Sequence, residues 1–211
     1  MYRPLAYAFV LLFVAACATT DKSDERARTE GCLGGAGIGA GLGFAVAKLL
    51  GADDSTAAMA AALGAAGGAV AGCSYADNLI ERRNELKGKE NDLDARIQYA
   101  QNLNTDTRNY NEQLVKTIAK LEPKVDKLAM QVKQNQVTQK ELEENRKALN
   151  NEVQVAEKGL NVAQQELTDL KNFRKTQGES PQLDAEIKKL EQNVAQLRQN
   201  TTELASLSQR I

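Results

Sequence analysis

The pattern of apolar and polar positions divides the chain into four regions. A run of twelve apolar residues, Leu5–Ala16, lies near the start and is followed by a polar linker over residues 17–30. Two apolar, glycine-rich stretches occupy residues 31–50 and 56–72, and regularly spaced leucines extend from Leu79 toward the end. The glycine-rich stretches and the leucine-rich region have helical periods, so the sequence predicts an all-α protein.

The first apolar run is typical of a signal peptide. Twelve residues are too few for a helix to cross a bilayer, which takes about 20, and Arg3 precedes them as the cation of a signal segment. The run ends in Val14-Ala15-Ala16-Cys17, which resembles the lipobox of bacterial lipoproteins. The resemblance implies that residues 1–16 are removed and that Cys17 is acylated with membrane lipid. Cleavage after Ala18 by the ordinary signal peptidase is the alternative.

The residue after the cysteine bears on localisation. In Gram-negative lipoproteins an Asp at that position commonly retains the protein in the inner membrane, and here the position is Ala18. The resemblance therefore implies the bacterial cell envelope and, within it, the inner leaflet of the outer membrane, facing the periplasm.

Glycines recur every fourth residue in both glycine-rich stretches. In water each glycine inside a helix costs about 1 kcal/mol relative to Ala, so seven at one spacing need a compensating reason. The spacing places them along one helix ridge, where the missing side chains let another helix approach closely. No phosphate-loop motif fits, and the apolar residues between the glycines disfavour a flexible linker. The helix-packing glycines are Gly31, Gly35, Gly39, Gly43, Gly64, Gly68 and Gly72.

Residues 31–75 resemble the glycine-zipper two-helix domain of envelope lipoproteins such as the SlyB-like and 17-kDa surface-antigen proteins. The turn of this hairpin is predicted at residues 51–55, Gly-Ala-Asp-Asp-Ser. The midpoint between Cys32 and Cys73 falls at 52.5, inside that turn. An antiparallel hairpin would bring the two cysteines together, and an oxidising compartment favours a disulfide between them. Two separate thiols are the alternative.

The relation of the zipper hairpin to the membrane stays open at this point. The two stretches have 20 and 17 residues, about the length of a membrane span, but Ala and Gly give them little hydrophobicity. A membrane-spanning hairpin, a soluble hairpin packed in an oligomer and a pore-forming ring of hairpins are all compatible with the pattern.

A heptad repeat runs from Leu79 to Leu170. Twelve of its 14 d positions are Leu or Ala, the exceptions being Thr107 and Asn135. This predicts a long coiled-coil helix over residues 76–175. Pro123 lies inside it, and because the heptad phase is the same on both sides we expect a kink there. A helix end near Leu121 with a three-helix bundle is the alternative.

Residues 176–182 predict a turn, since Gly178 suits a helix end and Ser180-Pro181 suits a helix start. The return helix, residues 183–211, then pairs Leu170 with Leu183 and places Ile211 near Leu142. The apolar stripe from Leu79 to Gln139 would need a second chain or would fold onto this hairpin as a bundle. Asn104 and Asn111, at a positions, could fix the register or the oligomer number.

The amino-acid composition disfavours several classes of function. The chain has no His and no Trp, only 4% aromatic residues and a net charge of −1. We therefore expect no catalytic residues, no metal, no cofactor, no nucleic-acid partner and no small-molecule substrate. The pattern favours a structural or adaptor lipoprotein that associates with itself or with another envelope helical protein. An oligomeric zipper pore or secretion-channel component is the alternative.

Overall fold

The described part of the chain consists of helices and the turns that join them. The computed structural model describes residue 72 and residues 74–211, and residues 1–71 and 73 lie outside that part. Its helices are α1 over residues 74–86, α2 over Leu93–Lys133, α3 over Gln139–Thr176 and α4 over Pro181–Ser208. No strand occurs among the described residues, and the predicted all-α class is confirmed.

Side-chain caps fix where the three long helices begin. The Asp92 carboxylate accepts a hydrogen bond from the Ala95 amide (2.9 Å), and the Ser180 hydroxyl accepts one from the Leu183 amide (3.3 Å). Thr138 and Glu141 form a reciprocal capping box. Such a cap contributes about 1 kcal/mol, and each lies directly after a change of chain direction.

The predicted continuous helix over residues 76–175 is wrong, because the chain reverses twice within it. Residues 87–92 form a turn around Gly88 (φ 80°), and residues 134–138 form another around Asn135 (φ 54°). A positive φ is common for Gly and tolerated by Asn, so both residues suit a helix end. The longest described helix, α2, has 41 residues and is about 61 Å long at 1.5 Å per residue.

Pro123 does not end a helix. Helix α2 continues through it, and the Pro123 side chain is exposed while Leu121 and Val125 on either side are buried. The alternative of a helix end near Leu121 is therefore wrong, and α2 ends at Lys133, before the 134–138 turn.

Helix α4 packs between α2 and α3. Its parallel alignment with α2 follows from hydrogen bonds that join Asn104 to Glu186 and Asn111 to Asn200. Its antiparallel alignment with α3 follows from the ion pairs of Arg174 with Asp184 (2.5 Å) and Lys171 with Glu191 (2.6 Å). The helices α2 and α3 contact each other far less than either contacts α4.

Helix α1 packs against both α2 and α3. Its antiparallel alignment with α2 follows from the contacts of Tyr75 with Thr107 and of Arg82 with Asp106. It reaches α3 through Arg83 and Glu166. The half of the molecule that contains the 87–92 turn is therefore a four-helix bundle, and the stripe beginning at Leu79 folds back onto its own chain.

Leucines of α4 form the centre of the core. Leu183, Leu190, Leu197 and Leu204 are fully buried, as is Leu170 of α3. Burial stabilises each by about 1.5–3 kcal/mol. At the chain end the Arg146 guanidinium donates to the Ile211 carbonyl oxygen (2.7 Å), so the C-terminus lies about one turn further along α3 than the predicted Leu142.

Asparagines join α2 to α4 inside this core. The Asn111 amide donates to the Asn193 carbonyl oxygen (2.9 Å), and the Asn200 amide donates to the Asn111 side-chain oxygen (3.0 Å). The Asn193 amide donates to the Asn104 side-chain oxygen (2.9 Å). This asparagine ladder (residues 104, 111, 193 and 200) is satisfied only in one axial register, so it excludes a shift by one heptad.

The asparagine ladder predicts effects on stability and on the choice of helix register. We expect Asn111→Leu alone to destabilise the protein by about 1–3 kcal/mol, because the buried Asn200 amide loses its partner. The double variant N111L/N200L should recover that loss and gain oligomers or alternative registers. Thermal unfolding and light scattering after size exclusion measure both effects. Asn150→Leu, at an exposed position of α3, is the control; equal effects of N111L and N150L would contradict the ladder.

Candidate functional site at the start of the bundle

Most residues singled out from the sequence lie outside the described part of the chain. These are Cys17, Cys32, Cys73, Gly31, Gly35, Gly39, Gly43, Gly64 and Gly68. Gly72 is described: it is helical and buried. It stands immediately before α1, so the candidate site is the region where the glycine-rich segment joins the bundle.

Two stacked tyrosines mark this junction. The rings of Tyr75 and Tyr110 lie 4.8 Å apart and nearly parallel, and the Tyr75 hydroxyl shares a 3.1 Å hydrogen bond with Thr107. The Tyr110 ring packs on Gly159 of α3 so closely that a Cβ at position 159 would lie 2.7 Å from the ring. Gly159 therefore lets Tyr110 bridge α1 and α3.

The tyrosine hydroxyls are neutral. Burial raises the pKa of Tyr75 and of Tyr110, and for Tyr75 the hydrogen bond with Thr107 opposes the rise only in part. Burial also raises the pKa of Tyr99, and the nearby Glu166 charge adds to that rise. In this structure all three pack in the core, and Tyr99 donates a hydrogen bond to Glu166.

Charged groups on α1 pair with buried carboxylates on two other helices. Asp106 of α2, only 5% exposed, accepts hydrogen bonds from Asn78 (3.1 Å) and Arg82 (3.2 Å). Glu166 of α3, 4% exposed, accepts from Arg83 (2.5 and 2.9 Å) and from the Tyr99 hydroxyl (2.5 Å). These two clusters set the rotation and the height of α1 in the bundle.

An open cleft lies beside the Glu166 cluster. Its volume is about 620 Å³, and its walls include Arg83, Tyr99, Asp169 and Phe173. The Arg96 guanidinium lies 4.9 Å from the centre of the Phe173 ring. Partial burial and the charge of Glu166 raise the pKa of Asp169. The polar groups that line the cleft are largely engaged with each other, an arrangement that holds the helices in place.

Glu152 of α3 is a buried carboxyl group of a different kind. It is 7% exposed and has no hydrogen bond or ion pair to another described residue. Burial raises its pKa. It lies on the same face of α3 as Gly159 and Glu166, since steps of seven residues keep the same side of a helix.

Two further findings concern the described residues as a set. None of their helices has the length and the hydropathy that a membrane crossing requires. Among the same residues no three acidic or cysteine side chains gather as a bound metal ion would need.

Sequence reasoning did not single out the residues of this junction. Tyr75, Tyr99, Tyr110 and Glu166 lie off the a and d positions, where a search for an apolar seam does not look. Arg83 was the available signal, because a cation at an a position of a buried seam requires an anionic partner.

Residues 1–76 match the family model described as YMGG-like Gly-zipper. The match covers about a third of the chain and supports a glycine-zipper domain. It also indicates a membrane-associated envelope protein. Comparison of the chain with curated proteins and with solved structures gives no match.

The contribution of the Arg83–Glu166 ion pair to the stability of the junction can be tested. Arg83→Met leaves the buried Glu166 carboxylate without its counter-charge, and we expect a loss of about 3 kcal/mol in the free energy of unfolding. The double variant R83M/E166M should recover most of that loss, because no buried charge remains. Urea unfolding followed by circular dichroism measures both. Arg174→Met, which breaks an exposed ion pair, is the control and should shift the midpoint little; an R83M as mild as R174M would contradict the assignment.

The raised pKa of Glu152 predicts that the stability of the folded protein depends on pH. A raised pKa means that folding favours the protonated form, so the cost of Glu152 is absent below its ordinary pKa of 4.5 and grows as the pH rises through the raised value. Glu152→Gln should therefore stabilise the protein by about 1 kcal/mol at neutral pH and little near pH ~4. Thermal unfolding at both pH values measures this. The exposed Glu157→Gln serves as control, and a pH-independent effect of E152Q would contradict the interpretation.

Proposed function

We propose that this chain is a membrane-anchored envelope lipoprotein that acts as a structural or adaptor element in the periplasm. Lipid on Cys17 holds the N-terminus at the membrane, and the bundle that starts at residue 74 projects from it. The observation that carries the proposal is the direct succession of a glycine-zipper match over residues 1–76 and a separate helical bundle with its own core. One part suits attachment and the other suits presentation of a surface.

The bundle changes the way in which an adaptor would meet its partner. The heptad seams of α2, α3 and α4 are used inside one chain, so a partner would contact the outside of the bundle. Two large apolar side chains on α2 are exposed there, Val115 (45%) and Met130 (57%). These two positions give probes on the outer face of α2 from which contact with a partner can be tested.

An oligomeric zipper pore or channel component is the second candidate. The four-residue glycine spacing favours it, because such ridges let membrane helices pack closely. Single-channel conductance in lipid bilayers separates the two candidates: an adaptor gives none, and a pore gives discrete steps.

The anchor is tested by Cys17→Ser in the producing cell. We expect this variant to move from the membrane fraction to the soluble periplasmic fraction, because a lipid-modified cysteine is the proposed attachment. The paired variant Cys32→Ser keeps Cys17 and should stay with the membrane. Membrane retention of C17S equal to that of the unmodified chain would contradict lipid anchoring.

The adaptor role is tested by photo-crosslinking from the bundle surface. A photoreactive residue at Val115 or Met130 of the full-length protein should give a discrete adduct in cells. The same residue at Lys140, whose side chain is 86% exposed on α3, is the matched control. Absence of any adduct, or an equal smear at all three positions, would contradict a specific partner surface on α2.

A further inference from the structure

The outer side of α2 carries a row of four lysines. They recur at steps of four, four and three residues, which keeps them along one side of the helix. All four are exposed, and none forms an ion pair with another described residue. At 1.5 Å per residue the row is about 16 Å long. This lysine face consists of Lys116, Lys120, Lys124 and Lys127.

The lysine face points away from α4. Asn111 marks the side of α2 that meets α4, because it accepts a hydrogen bond from Asn200. At about 100° per residue, the four lysines lie roughly 140–220° around the helix from Asn111. An external surface can therefore reach the lysine face without displacing the helix that forms the centre of the core.

The acidic residues of the same segment lie on a different side of α2. Glu122 and Asp126 lie within about 60° of the side that meets α4, and both contact Arg210 (3.5 and 3.1 Å). Between α3 and α4 a lysine also has an acidic neighbour, since Lys171 lies 2.6 Å from Glu191. The charges of this segment are thus separated: the anionic side is paired within the bundle, and the cationic side faces outward.

The lysine face contributes nothing to the stability of the bundle that would explain it. Like charges four residues apart on a helix repel each other, so the row is slightly unfavourable for α2 itself. A lysine ammonium is a hydrated point charge on a flexible stem, which suits a surface of distributed negative charge. The glycine-zipper match indicates a membrane-associated envelope protein. An anionic bilayer is therefore the surface of this kind that lies within reach.

We infer that the lysine face lies on the surface of an anionic phospholipid bilayer, the one to which the chain is attached; the inference rests on the attachment proposed above. The bundle then lies with α2 along the membrane and α4 toward the periplasm. Each lysine near such a surface raises the partition onto it about fivefold. Val115 lies only about 40° from the side of α2 that meets α4, so it stays clear of the bilayer for a protein partner.

Two labelling positions distinguish the sides of the bundle. Gln113→Cys places a fluorophore about 200° around α2 from Asn111, at the end of the lysine face. Thr202→Cys places it on α4 at the same height, because α2 and α4 run parallel with Asn111 beside Asn200. Both positions are exposed and uncharged, so they form a matched pair.

Headgroup quenching measures the docking. The full-length protein, with Cys32→Ser and Cys73→Ser, is reconstituted into vesicles of phosphatidylcholine, alone or with phosphatidylglycerol, that contain a headgroup quencher. In the anionic vesicles we expect several-fold stronger quenching at position 113 than at 202. The difference should disappear in neutral vesicles and at about 1 M salt, where screening acts beyond about 3 Å. Equal quenching at both positions in anionic vesicles, or the same difference in neutral ones, would overturn the proposal and favour an acidic protein as the partner.

A charge variant tests the lysines themselves. Replacing the four residues of the lysine face by Gln should remove the extra quenching at position 113. The midpoint of thermal unfolding should not fall, because all four side chains are exposed. The control makes the same change at four exposed lysines of α3 and α4 and should keep the quenching. An equal loss in both variants would reflect net charge alone and would overturn the proposal. The control lysines are Lys140, Lys147, Lys175 and Lys188.

Flotation of the same vesicles separates docking from attachment. Protein that floats with both kinds of vesicle and is quenched at position 113 only in the anionic ones supports both. Protein that floats with both kinds but is quenched equally at 113 and 202 is attached without docking, which overturns the inference and leaves the proposed function intact. Protein that floats with neither kind has no attachment, which overturns the proposed function and the inference together.

Discussion

The fold depends on α4, which packs against two helices that contact each other little. Its leucines at positions 183, 190, 197 and 204 are fully buried because α2 covers one side of them and α3 the other. Neither α2 nor α3 could bury its own stripe without this shared row. The last helix of the chain therefore has the most regular heptad pattern, and the core formed by α2 and α3 is complete only when α4 is in place.

Polar residues in the seams then select one arrangement from those that apolar packing would allow. Asn104 and Asn111 fix the height of α2 relative to α4, and Glu166 fixes that of α1 relative to α3. Leucine seams tolerate a slip of one heptad, but a buried amide or carboxylate without a partner does not. This specificity has a cost in stability, as at Glu152, which is buried without a hydrogen bond or ion pair to another described residue.

The sequence alone predicts those helix boundaries that local capping chemistry determines. It does not predict the reversals and contacts that depend on packing between helices. Ser180-Pro181 marks the start of α4 by its own capping chemistry, and the predicted return helix lies there. The reversal at 134–138 was missed because the heptad phase continues across it, and Asn135, an exception at a d position, is the turn residue itself. Thr107, the other exception, is the buried partner of Tyr75. Polar exceptions to a repeat were thus the informative positions, but their partners could only be found once the helices were placed.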